Sequence, residues 1–141
     1  MRRVVSLAAM FISIIALSFV LCLLGDLYPD EWICIAYIDI IFYMLLIFEL
    51  EYERAKYRLS GNSRTDYVKF AIAFFVCCLI CVASGILPVY SRPVIFLAIL
   101  LCLAGNEYLG FICGTFFCVL LGVTVSGDFY EMICDVLLVI T

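Results

Sequence analysis

The chain reads as an all-α, polytopic bundle of transmembrane helices, and three observations predict it. Its 141 residues are 68% hydrophobic and only 14% charged, whereas soluble domains sit near half apolar and a quarter charged. A water-soluble core of this length has no room for so much apolar surface, so lipid is expected to cover it. Apolar runs long enough to cross a hydrocarbon core of ~30 Å recur along the sequence. Between them, residues 49–70 hold Arg54, Lys56, Arg58, Arg64 and Lys69, five of the eight basic residues. Positive charge is retained on the cytoplasmic side of a membrane, so this connector and the N-terminus are expected inside. The expected architecture is one helical domain over residues 1–141, multi-pass in the cell membrane. It has five complete spans and a truncated sixth, at about 4–24, 32–50, 67–87, 93–107, 108–125 and 131–141, with 51–66 as a cytoplasmic basic loop.

The first span follows Met1-Arg2-Arg3. It is longer than the apolar core of a signal peptide, and no small-x-small cleavage site follows it. Ser6, Ala9, Ser13 and Ala16 recur at helical spacing as a small-residue stripe suited to helix contact. A short acidic turn follows at 25–31, with Tyr28 and Trp32 suited to the outer interface. The second span carries Asp39 near its middle. An ionised carboxylate at that depth is costly, so Asp39 is expected to face other helices and to be hydrogen-bonded or protonated. Tyr43, four residues on, shares its face and is the expected partner. This helix is expected to run past the bilayer to about Leu59, with Glu51–Arg54 and Glu53–Lys56 paired along its surface. Gly61-Asn62 closes it. Ser63-Arg64-Thr65-Asp66 fits a capping box that opens the third span.

The third span contains Cys77, Cys78 and Cys81. A structural zinc site needs four ligands, and with no histidine and no second CxxC these cysteines read as core, so no metal is expected. The outer turn at 88–93 is bracketed by Pro88 and Pro93 and carries Arg92. The next apolar run is short, about 18 Å as helix, and is expected to end in a tight turn at Gly105-Asn106-Glu107, with Glu107 at the inner interface. Residues 93–125 read either as two spans or as one span and a re-entrant segment. In the fifth span Gly110, Gly114, Cys118 and Gly122 recur every four residues, and Gly110-x-x-x-Gly114 is a close-approach motif. That face serves either packing within the bundle or a homo-oligomer. The last run carries Asp135 and stops after half a span. A helix ending at mid-bilayer strands its carbonyls, so the natural chain is expected to continue.

The net charge of −4 is no guide to partners, because the signs are segregated: Asp26, Asp30, Glu31 and Asp128 fall in the expected outer turns, whereas the bases cluster in the inner connector. The lipid bilayer is the expected partner, and nothing resembles a nucleic-acid-binding stripe. The absence of histidine removes Ser-His catalysis, HExxH sites and HD-type metal centres. No cofactor and no enzymatic activity are expected of these residues. Nine cysteines, nearly all inside apolar runs, behave as small hydrophobes.

From about residue 62 to 139 the chain resembles the membrane region of the seven-transmembrane HD-phosphohydrolase receptors. The resemblance is carried by the helix opening after GNSRTDY, the turn with Pro88 and Arg92-Pro93, the tight GNE turn, the glycine-spaced helix and Gly127-Asp128. It implies the sensory or anchoring region of a bacterial signalling protein, with a phosphohydrolase domain following outside these residues. Neither that domain nor the family's large extracellular domain lies within this chain, so no catalytic residue carries over. A small transporter or substrate-binding membrane subunit is the alternative, in which Asp39, Tyr43, Arg92, Glu107 or Asp135 would converge on one cavity. A structural membrane protein without ligand is the third.

Overall fold

The computed structural model describes residues 2–60, 67–87 and 94–126, with isolated positions 133 and 137. Among the described residues there are five α-helices: α1 (Arg2–Leu24), α2 (Pro29–Ser60), α3 (Tyr67–Ile86), α4 (Val94–Ala104) and α5 (Glu107–Leu121), which continues as a π-helical turn over Gly122–Ser126. No strand occurs among the described residues. Among the described residues, four helical stretches are long and apolar enough to cross a membrane, Arg3–Leu24, Pro29–Lys56, Tyr67–Ile86 and Glu107–Thr124. This is the composition of a multi-pass membrane protein. The expected fourth span is the exception, since α4 has 11 residues and rises only ~16 Å. Of the expected sixth span only Ile133 and Leu137 are described, both helical and exposed.

Each helix lies against two main neighbours, in the ring order α1, α3, α4, α5, α2 and back to α1. Successive helices run in opposite directions, because the connections between them are short. Arg3 on α1 pairs with Glu51 on α2, and the Arg3 guanidinium stands 5.6 Å from the Tyr67 ring centroid at the start of α3. Gly105, between α4 and α5, packs on Phe70 near that same end. At the opposite end Gly25 meets the Thr124 backbone of the π turn so closely that a side chain at residue 25 would overlap the carbonyl.

Aromatic rings fill the middle of the ring. Phe42 of α2 stacks on Phe116 at 3.7 Å between centroids and 7° between planes. Phe74 lies 6.2 Å from Phe42 and 5.7 Å from Phe117. Such pairs add about 0.5–1.5 kcal/mol each beyond the area they bury. Outward-facing residues are equally apolar: Ile12, Ile15 and Phe19 on α1, Ile41 and Phe48 on α2 and Ile72 on α3 are exposed. An apolar belt on every side of a helical ring suits a lipid solvent and would aggregate in water.

Local chemistry explains where the elements end. Asp26 adopts a left-handed φ of 50° and the Leu27 amide bonds back to the Cys22 carbonyl, a closure that satisfies the last carbonyls of α1. Pro29 takes the first position of α2, where its missing N–H is no loss. Glu31 then reaches back to accept from the Tyr28 amide at 3.0 Å, as in a capping box. The helix therefore starts at Pro29, three residues before the expected span begins at about Trp32. It ends at Ser60, one residue past the expected Leu59. Residues 51–60 of the expected loop thus continue the same helix. The expected capping box at 63–66 lies outside the described residues.

The glycine-spaced face of α5 packs within the bundle. Gly110 and Gly114 are buried, and a Cβ on Gly110 would overlap Cys102 Sγ and come 3.0 Å from the Ala98 carbonyl on α4. The small-residue stripe of α1 is used differently. Ser6 is buried, but Ala9 and Ala16 face outward and Ser13 donates to the Ala9 carbonyl of its own helix. Buried Met10, Ile14, Leu17 and Leu21 form the face of α1 that meets its neighbours.

Candidate functional site

Asp39 is the one carboxylate placed deep in an apolar helix interior among the described residues, and it is buried to 7% exposure. Its Oδ1 accepts a hydrogen bond from Ser18 Oγ of α1 at 2.8 Å. Tyr43, the expected partner, turns elsewhere: its hydroxyl donates to the Leu7 carbonyl at 3.1 Å. One helical turn separates the two side chains on α2, yet each reaches a different turn of α1. The reason is vertical. α1 and α2 run antiparallel, so Asp39 faces the second half of α1 and Tyr43 the first. Ser18 escaped the sequence reading because serines are common in apolar helices. Its only signal is a depth below the α1–α2 turn comparable to that of Asp39.

Asp39 and Ser18 line a groove of about 340 Å³ between α1 and α2. The rest of its wall is apolar, with Phe11, Phe19, Cys22, Trp32, Ile35 and Ile40. Phe19 and Trp32 meet edge to face at 5.6 Å, and Trp32 Nε1 is tied to the Leu27 carbonyl at 3.2 Å. Phe19 and Ile40 are half exposed, so the groove opens sideways on the apolar belt. A second groove of about 290 Å³ lies between α2 and α5. It includes Thr115, whose Oγ1 is buried without a partner, but no ionisable group lines it.

The polar end of α2 forms a separate cluster. Glu51 pairs with Arg3 and, at 3.6 Å, with Arg54, and the Tyr67 hydroxyl donates to the Leu50 carbonyl at 3.4 Å. Glu53 is 3% exposed, an unusual depth for a glutamate on a polar helix face. Three chain segments, the starts of α1 and α3 and the polar part of α2, are thereby tied together where the basic residues gather.

The other expected site residues do not join Asp39. Glu107 is exposed in the first turn of α5, beside the Gly105 turn and away from the groove. Arg92 and Asp135 lie outside the described residues. The cysteines of α3 are buried, with Cys77 Sγ directed to the Leu97 carbonyl at 3.9 Å, a packing arrangement between α3 and α4. Comparison with family models, with curated proteins and with solved structures finds no match.

Proposed function

We propose that the chain is the membrane-embedded sensory or anchoring region of a signalling protein, in which α2 connects a site within the bilayer to a cytoplasmic stalk. One observation carries this reading: α2 is a single helix of 32 residues. At 1.5 Å per residue it is ~48 Å long, well beyond a hydrocarbon core of ~30 Å. The same rigid rod carries Asp39 in its apolar part and Glu51, Glu53, Arg54 and Lys56 in its polar part. The two regions are ~18 Å apart along the axis. A change in how Asp39 is held against α1 tilts or rotates α2, and the clasp of Arg3, Glu51 and Tyr67 is the first contact to feel it. Positive charge at that end supports a cytosolic stalk. The comparisons add nothing to the HD-phosphohydrolase receptor resemblance, so the reading rests on geometry. Asp39 and Glu107, two of the residues that the transporter alternative would bring together, do not line one groove among the described residues.

Amide hydrogen exchange over residues 51–60, compared between the wild type and Asp39→Asn in detergent micelles, tests it. Coupling of ~1 kcal/mol would change exchange about fivefold. Identical exchange in a folded variant would leave the stalk uncoupled from the site and the proposal without its mechanism.

A further inference from the structure

We propose that the α1–α2 groove binds a lipophilic cation, an ammonium or phosphonium carried on a hydrophobic body, that enters sideways from the bilayer. The inference names a ligand class for the site in the sensory reading and rests on that reading for its consequence, though not for the binding itself.

Charge is the first point. A carboxylate in an apolar helix interior is expensive unless paired, and Ser18 supplies a single hydrogen bond to Oδ1. Oδ2 brings further lone pairs. No cationic side chain lines the groove, so a positive charge that pairs with Asp39 there comes from outside this wall. Shape is the second point. About 340 Å³ falls within the range of small-molecule sites, which are largely apolar with a few convergent polar groups. The third is the wall itself. Phe11, Phe19 and Trp32 line the same groove as Asp39, and aromatic rings attract cations most strongly when water is excluded. A neutral lipid tail would use the apolar wall and leave Asp39 idle. An anionic amphiphile would be repelled. Only a hydrophobic cation uses every feature of the groove, and the exposure of Phe19 and Ile40 gives it a path from the hydrocarbon.

The protein carries its own reporter, because Trp32 is its single tryptophan and lines the groove. Tetraphenylphosphonium and tetraphenylborate, nearly identical in shape and opposite in charge, are titrated separately into the detergent-solubilised full chain while Trp32 emission is followed. The expected result is a saturable emission change with the phosphonium and none with the borate. Asp39→Asn is expected to weaken phosphonium binding about tenfold or more, and Phe19→Ala to weaken it without touching the carboxyl. The comparison of the two ions needs no variant, so it stands even if Asp39→Asn misfolds. Equal responses to both ions, no saturation with the phosphonium, or wild-type binding by folded Asp39→Asn would overturn the proposal. So would sedimentation showing a wild-type dimer that Asp39→Asn dissociates, since a second copy would then fill the groove. Exchange over 51–60 in Asp39→Asn, measured without any added ion, separates this failure from that of the sensory reading.

Discussion

Asp39 decides between a working residue and a structural one by what its removal does. A carboxylate at a helix centre carries an insertion cost of about 2.5–3.5 kcal/mol, while a hydrogen bond between membrane helices returns only ~0.6 kcal/mol on average and ~1.7 at most. The Ser18 bond therefore does not offset the acid it holds. We expect Asp39→Leu to leave the protein as stable as the wild type or more so, and Ser18→Ala to lose no more than ~1.7 kcal/mol, both read by chemical denaturation in mixed micelles. A loss well above 2 kcal/mol in Asp39→Leu would make the residue a structural tie. That Asp39 would be buried and hydrogen-bonded was legible in the sequence from its depth alone. Its partner was not, because periodicity within α2 places Tyr43 on the same face but says nothing of which turn of α1 each side chain meets. That pairing is set by the Gly25–Tyr28 turn, where the left-handed Asp26 fixes the vertical offset of the two helices.

At the scale of elements, α4 and α5 show how a motif fixes contact without fixing its purpose. The spacing of Gly110 and Gly114 marks a face where backbones approach, and α4 fills the Gly110 end of it through Ala98 and Cys102. Gly110→Ala would place Cβ against the Cys102 amide nitrogen at 2.9 Å as well as against its sulfur. Overpacking of this kind costs about 1–3 kcal/mol. Combining it with Cys102→Ala removes the sulfur and leaves the backbone contact, so we expect partial recovery in the same denaturation assay. Full recovery would mean that the sulfur alone sets the spacing; no loss at all would mean that the two helices are not in contact at Gly110. The shortness of α4 was legible from its run of apolar residues, and so was the turn at Gly105. The start of α2 was less so, since the Tyr28-Pro29-Asp30-Glu31 cap reads equally as an acidic loop until Glu31 is seen accepting from the Tyr28 amide.

For the whole molecule, composition and charge placement carry the argument. The all-helical fold and the apolar outer belt follow from a chain in which hydrophobic residues are needed on both the inward and outward faces. The ring order of the helices was not readable, because hydrophobic helices give few signals of which neighbour each will choose; stacked rings such as Phe42 on Phe116 make that choice. On the proposed reading α2 crosses a bilayer once, with its stalk in the cytosol. Tyr28 and Lys56 flank its apolar part and are both exposed. Labelling Tyr28→Cys and Lys56→Cys with a membrane-impermeant maleimide, against the wild-type cysteine background, tests the claim directly in intact cells and after lysis. We expect Tyr28→Cys to react in intact cells and Lys56→Cys only after lysis. Reaction of both from the same side would contradict the crossing.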